Sequence, residues 1–288
     1  MPMRPNRLLI AVVLSVTGPL AVPASAHHEA MFGPQSSAVL SPGAFLSAQV
    51  FTRQNGERDD DKNHETTTVF SAGLRPTKQP LSFALVVQIT VAGPSGGPSR
   101  HGFEDALLSA RYRLNADRVS SALGLDEGYA MVVGGIEVPT GTFDHEFGHG
   151  PVGEIAAGIF SVEKRPLSVI GYAYYHHVGA HQGVRQSGNL FAGFGTAWTP
   201  IDNDATGRIF SVQVGLSHER TFAIEQAGVP LSQSGGSGVF AHPGLVISTS
   251  PHLQFFALLS LPITQTWHSA DDRQRFRFGA GTILILGR

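Results

Sequence analysis

From Leu81 to Val91 every second residue is large and apolar: Leu81, Phe83, Leu85, Val87, Ile89 and Val91, with Ser82, Ala84, Gln88 and Thr90 between them. The same period of two sets Phe210, Val212, Val214 and Leu216 against Ser211, Gln213, Gly215 and Ser217. It sets Leu190, Ala192, Phe194 and Trp198 against Gly193 and Gly195, and Leu108, Ala110, Tyr112 and Leu114 against Ser109, Arg111 and Arg113. A period of two sends alternate side chains to opposite faces of a strand, so this is an all-β chain whose strands each carry one apolar face. Followed throughout, the pattern predicts twelve strands, at about 42–54, 64–75, 81–93, 103–115, 129–139, 152–163, 167–178, 188–199, 207–220, 238–249, 252–264 and 273–286. Each suits the roughly 9–11 tilted residues that cross a bilayer. Pro243 weakens the tenth, because proline donates no ladder hydrogen bond.

The connections decide how these strands are arranged. Asn55–Asn63 is long and charged, Pro76–Pro80 short, Gly93–Gly102 long, Thr140–Pro151 long, Lys164–Pro166 short, Gly179–Ser187 long, Thr221–Ser237 long and Ser250-Pro251 very short. Long and short alternate, as they do where extracellular loops face periplasmic turns in an antiparallel transmembrane β-barrel. Asn115–Gly128 breaks the rule by being long where a short turn is expected. A soluble sandwich has no reason to sort its loops by parity.

Composition agrees. Charged residues are 15% of the chain, below the roughly 25% of soluble domains. There are 34 glycines and no cysteine, so no disulfide holds an exported fold. A net charge of −2 supplies no basic surface, and nucleic acid is not an expected partner. Basic Arg4 and Arg7, an apolar run from Leu8 to Val16 and the small residues Ala24-Ser25-Ala26 have the layout of a secretory signal over 1–26, with His27 first after cleavage. Residues 27–41 then form a periplasmic lead-in and 42–288 the barrel. The expected location is the outer membrane of a Gram-negative cell, with outer-membrane lipid, the barrel-insertion machinery and a small-molecule solute as partners. Gly281, Leu284 and Leu286 form the hydrophobic skeleton of the signal that such machinery reads.

If the apolar set faces lipid, then Gln88, Arg111, Arg113, Glu137, Glu154, Gln213, Glu219, Arg275 and Arg277 line the inner wall. A charge facing lipid near mid-membrane costs about 2–4 kcal/mol, which turns these residues inward. Arg111 and Glu137, on neighbouring strands, are placed to pair there. Two readings stay open: a polar path for a solute, or a cross-linked interior that nothing passes.

Gly102-Phe-Glu-Asp-Ala-Leu-Leu-Ser-Ala-Arg-Tyr-Arg-Leu114 and Gly134-Gly-Ile-Glu-Val-Pro-Thr-Gly141, with Pro243-Gly244, Leu261-Pro262 and a closing Arg-Phe-Arg-Phe-Gly-Ala-Gly strand, carry a resemblance. Over residues 100–286 the chain resembles the outer-membrane family named after the meta-pathway of phenol degradation. That resemblance implies an outer-membrane barrel passing small, including hydrophobic, molecules.

His145-Glu146-Phe-Gly-His149 spells the zinc-protease H-E-x-x-H, whose mechanism needs a helix to bring both histidines to one face. Gly148, Gly150 and Pro151 oppose a helix there, and Ile155 stands where a third ligand would fall. His145 and His149 are therefore weak metal candidates only, as are His27 and His28 at the expected mature N-terminus. His176, His177 and His181 are expected where a strand meets an outer loop, and Asp59–Asp61 as a solvated charge run. Outer-membrane phospholipases space their histidine and serine as His-x-Ser, which does not occur here. No enzyme activity and no cofactor are expected, with a metal-binding or catalytic barrel as the alternative beside the closed structural one.

Overall fold

In the computed structural model the described residues are 43–56, 63–75, 80–94, 98–115, 117–141, 150–181, 183–185, 188–203, 206–232, 234–250, 252–269 and 273–286. In chain order the strands are β1 (Gly43–Asn55), β2 (Asn63–Arg75), β3 (Leu81–Pro94), the short β4 (Arg100–Phe103), β5 (Ala106–Asn115), β6 (Glu127–Val138), β7 (Gly153–Lys164) and β8 (Leu167–Val178). Then come the two-residue β9 (Ala180–His181) and β10 (Val184–Arg185), followed by β11 (Asn189–Asn203) and β12 (Arg208–Thr221). The chain finishes with two-residue β13 (Glu225–Gln226) and β14 (Val229–Pro230), then β15 (Gly236–Ser250), β16 (Leu253–Trp267) and β17 (Gln274–Leu286).

Twelve long strands form one antiparallel ring. Each pairs with its neighbours in sequence, and β1 closes the ring by pairing with both β2 and β17. In this ring no strand edge is left to hydrogen-bond in lipid, which is the condition for a sheet to cross a bilayer. The strands expected from alternation are all present. Pro243 is accommodated opposite Val214, and the β15–β16 pairing passes from Ala241–Leu261 directly to Gly244–Leu258 around it.

The strand ends at 55 and 63, 94 and 106, 138 and 153, 178 and 189, 221 and 236, and 267 and 274, which the long connections join, lie at one rim, and those at 75 and 81, 115 and 127, 164 and 167, 203 and 208, and 250 and 253 at the other. The long set marks the extracellular rim, so Gly43 and Leu286 both lie at the periplasmic one. The long connection that broke the parity rule holds a helix, Asp117–Ala122, whose Ser120 is buried against Gly128. On the extracellular side, β9, β10, β13 and β14 form a small separate sheet that ties two loops together, with Arg185 and Glu225 paired at 2.9 Å.

Outside, the wall is an apolar band: Phe83, Leu85, Leu108, Val132, Phe160, Phe194, Val214, Leu245 and Phe278 are all exposed. Inside, the wall differs from expectation. Its side chains are buried and include two apolar clusters, one around Phe51, Val69, Met131, Ile159 and Phe191, the other around Phe45, Ile209, Val246, Phe256 and Ile283. Large inward side chains, among them Phe45, Met131, Phe240 and Ile283, are fully buried within the ring.

Candidate functional site: the inner wall

One network of buried polar groups lies toward the extracellular end of the interior, while Arg111, Arg113 and Glu163 are buried in its periplasmic half. Glu219 on β12 meets Arg277 on β17 through two hydrogen bonds, Nη2 to Oε2 at 2.9 Å and Nη1 to Oε1 at 3.2 Å. Strands β15 and β16 lie between their strands, so the pair reaches across a chord of the lumen subtending about 14 Å of wall. The Arg277 guanidinium also stands 4.5 Å over the Phe240 ring. A chain of hydrogen bonds leads into the same carboxylate. Ser260 Oγ lies 2.9 Å from His242 Nδ1, and His242 Nε2 lies 3.0 Å from Ser217 Oγ. Ser217 donates to Glu219 Oε1 at 3.2 Å. With the proton on His242 Nε2, every donor in the chain points toward Glu219. Ser260 and Arg277 are register partners on β16 and β17, so the network closes on itself.

Arg53 is the register partner of Arg277 on β1, which sets two inward guanidinium groups side by side. Each has its own carboxylate, Arg53 bonding Glu65 across β1–β2 at 2.5 Å. Removing either acid would leave two close cations in a low-dielectric interior, where like charges repel strongly. Further round the ring, Thr67 and Thr90 share a 2.7 Å hydrogen bond, and Thr90 also donates to Glu104. The Gly141 amide donates to Asp105 at 2.8 Å.

Glu137 on β6 bonds His176 on β8 at 3.2 Å, both fully buried. Between them on β7 stands Gly153, the register partner of Glu137. A Cβ at that position would lie 2.6 Å from Glu137 Oε2 and 2.9 Å from His176 Nε2, so the missing side chain is what lets the two groups meet. His176 lies near the extracellular end of β8, where a strand meets an outer loop as the sequence suggests, but the sequence left its facing open. It points inward, because the odd–even phase of β8 puts Tyr174, His176 and Val178 on the inner face.

Of the residues predicted to line the wall, Gln88, Arg111, Arg113, Glu137, Gln213, Glu219 and Arg277 are all buried inside. Arg111 stands opposite Val133, four residues periplasmic of Glu137, and the partner that sequence did not reveal for Glu137 is His176. Glu154 is a correction: it is exposed on the outer face, opposite His177 at the extracellular rim. The reason is that β7 reverses the usual assignment, burying Ile155 and Ile159 in the interior cluster. Arg275 is half-buried at the rim, where a register shift precedes Asn55 and its Nε donates to the Gly56 carbonyl at 3.0 Å. His27, His28, His145 and His149 lie outside the described residues. His242 was missed altogether, since nothing near Ala241-His-Pro243 signals that Ser217 on β12 and Ser260 on β16, the two strands flanking β15, meet it.

Several inward oxygens, among them Gln49 Oε1, Ser82 Oγ, Ser109 Oγ and Gln254 Oε1, are buried without a protein hydrogen-bond partner. The wall therefore has acceptor and donor capacity beyond what its own groups use, alongside its apolar clusters.

No family model matches the chain, and no curated protein does. Among solved structures, it is similar to an outer-membrane channel of Pseudomonas putida F1, with a TM-score of 0.66 at 12% identity, covering 86% of this chain and 97% of that one. It is also similar to LpxR from Salmonella typhimurium (TM-score 0.51, 10% identity, 84% and 100% covered). The β domain of the Bordetella autotransporter BrkA scores 0.50 at 12% identity, with 85% and 100% covered. At these identities the likeness is one of fold, and what the comparisons establish for this chain is the closed twelve-stranded barrel architecture of outer-membrane proteins.

Proposed function

We propose that this protein is an outer-membrane channel for small molecules with an apolar body and a polar end, closed in the conformation described here. The observation that carries the reading is the two-character inner wall. Apolar clusters around Met131 and Phe256 can accept a hydrocarbon body, and the buried network from Ser260 to Arg277 meets a polar group toward the extracellular mouth. A merely structural core has no use for unspent hydrogen-bonding capacity, which costs about 1–3 kcal/mol per buried group when left unmet. The Arg277–Glu219 chord is the constriction in this reading, and passage requires it to part.

The similarity in fold to the Pseudomonas channel supports transport, while the similarity to LpxR leaves the barrel architecture itself neutral toward catalysis. A second reading, a sealed structural barrel, is favoured by the burial of the inward side chains. The two separate in planar-bilayer recording and in whole-cell uptake of small aromatic and aliphatic solutes. Channel behaviour predicts small, brief conductance steps in the folded protein, larger in Glu219→Gln. Silence in both proteins, joined to unchanged solute uptake on deleting the gene, would leave only the sealed barrel.

A further inference from the structure

We propose that the outer wall carries a site for a phosphorylated, multiply acylated glycolipid of the outer leaflet, built on β7, β8, β11 and β12 near the extracellular rim. The inference rests on the outer-membrane location proposed above and is independent of channel activity. Register places Gly158, Ala173, Ala192 and His218 in one outward row across these four strands. On the periplasmic side of it Phe160 and Phe194 stand proud, and the low row between leaves a groove of about 620 Å³. A Cβ placed on Gly158 would meet nothing within 4 Å, so the groove floor is open to the bilayer. Its width and apolar lining suit hydrocarbon chains.

What sets this groove apart is the row above it, toward the extracellular rim. Tyr175, Leu190 and Arg220 are register partners there, all exposed on the outer face. The Arg220 guanidinium lies 5.3 Å over the Phe222 ring, Phe222 meets Tyr175 edge-on at 6.3 Å, and Tyr175 stacks with His177 at 6.5 Å. An arginine held by an aromatic support at headgroup depth, with His218 two residues below, presents fixed donors to a phosphate. Glu154, opposite His177, is the acidic group on this face; it lies across the patch from Arg220 and borders the anion's place rather than filling it. A comparable groove of about 710 Å³ on β2, β3, β5 and β6, floored by Ala72, Ala110 and Gly134, has Phe70, Val87, Ala106 and Val138 above it and no cation among them. That second groove is an ordinary acyl-chain surface, and it serves as the internal control.

The test uses the full-length folded barrel, its state verified by the boiling-dependent gel shift, so that loss of lipid binding is read apart from loss of the fold. Native mass spectrometry in detergent titrates lipid A (a bisphosphorylated, hexa-acylated disaccharide), its dephosphorylated form and phosphatidylglycerol. The site predicts one lipid A retained per barrel, with binding about tenfold weaker in Arg220→Ala, the scale of losing one charge-assisted bond. The pair Ala173→Leu and Ala192→Leu should weaken it similarly by filling the groove, while Ala110→Leu in the second groove leaves it unchanged. Equal retention by all variants, equal retention of phosphatidylglycerol or the dephosphorylated lipid, or full competition by inorganic phosphate would overturn the proposal, the bound lipid then being annular only.

Discussion

Replacing a glycine by alanine should change the stability of this barrel in opposite directions at two positions on neighbouring strands. At Gly134 on β6 the side chain would project outward, and a Cβ there meets nothing within 4 Å. Alanine then mainly restricts the unfolded chain and stabilises by about 0.4–1 kcal/mol. At Gly153 on β7 the added Cβ would lie 2.6 Å from Glu137 Oε2, 2.9 Å from His176 Nε2 and 3.1 Å from Glu137 Cβ. The flexible carboxylate is the group that must give, and in giving it leaves His176. Both side chains are fully buried, so each loses a partner it cannot replace with bulk water. Overpacking of about 1–3 kcal/mol and the loss of a buried bond of about 1–3 kcal/mol, less the chain-entropy gain of about 0.4–1 kcal/mol, give a net destabilisation of about 1–5 kcal/mol. Urea unfolding in lipid vesicles, followed by the heat-modifiable gel shift, measures both variants against the parent. A Glu137→Gln background should shrink the Gly153→Ala penalty, because the strongest contact is already weakened. If Gly153→Ala is as harmless as Gly134→Ala, the inward face of β7 has been assigned wrongly and the Glu137–His176 bridge is not part of the folded barrel.

Glu219→Ala should destabilise the folded protein by about 3–5 kcal/mol, since it strands Arg277 next to Arg53 in the interior, and the double variant with Arg277→Met should recover most of that loss; the same urea assay reads it. Val214→Arg, facing lipid midway along β12, should cost about 2–4 kcal/mol, whereas Thr206→Arg at the periplasmic rim should be near neutral. Trp198 is exposed on the outer wall and Trp267 is buried, so brominated lipid should quench the fluorescence of the Trp267→Phe variant far more than that of Trp198→Phe; equal quenching would mean that the lipid-facing side of β11 is not the one described.

Alternation alone determined the strand number and most strand positions, because which side of a pleat a residue occupies depends only on its parity. Loop length determined the closed antiparallel arrangement and its orientation for the same local reason, failing only at 116–126, where the helix Asp117–Ala122 lengthens a periplasmic turn. Seven of the nine predicted inner-wall residues are inside: alternation against the apolar face turns Gln88 and Gln213 inward, and expulsion of charge from the lipid face adds to it for the five charged ones. Glu154 escapes that rule by lying at the rim, where an outward carboxylate meets headgroups and water. Tertiary structure alone decided who meets whom on the inner wall. Glu219 finds Arg277 58 residues away, His242 is reached by Ser217 and Ser260 from two other strands, and Glu137 reaches His176 only because Gly153 leaves the space. Such contacts depend on ring curvature and on the register of several strands together, and a periodicity read along one strand contains neither.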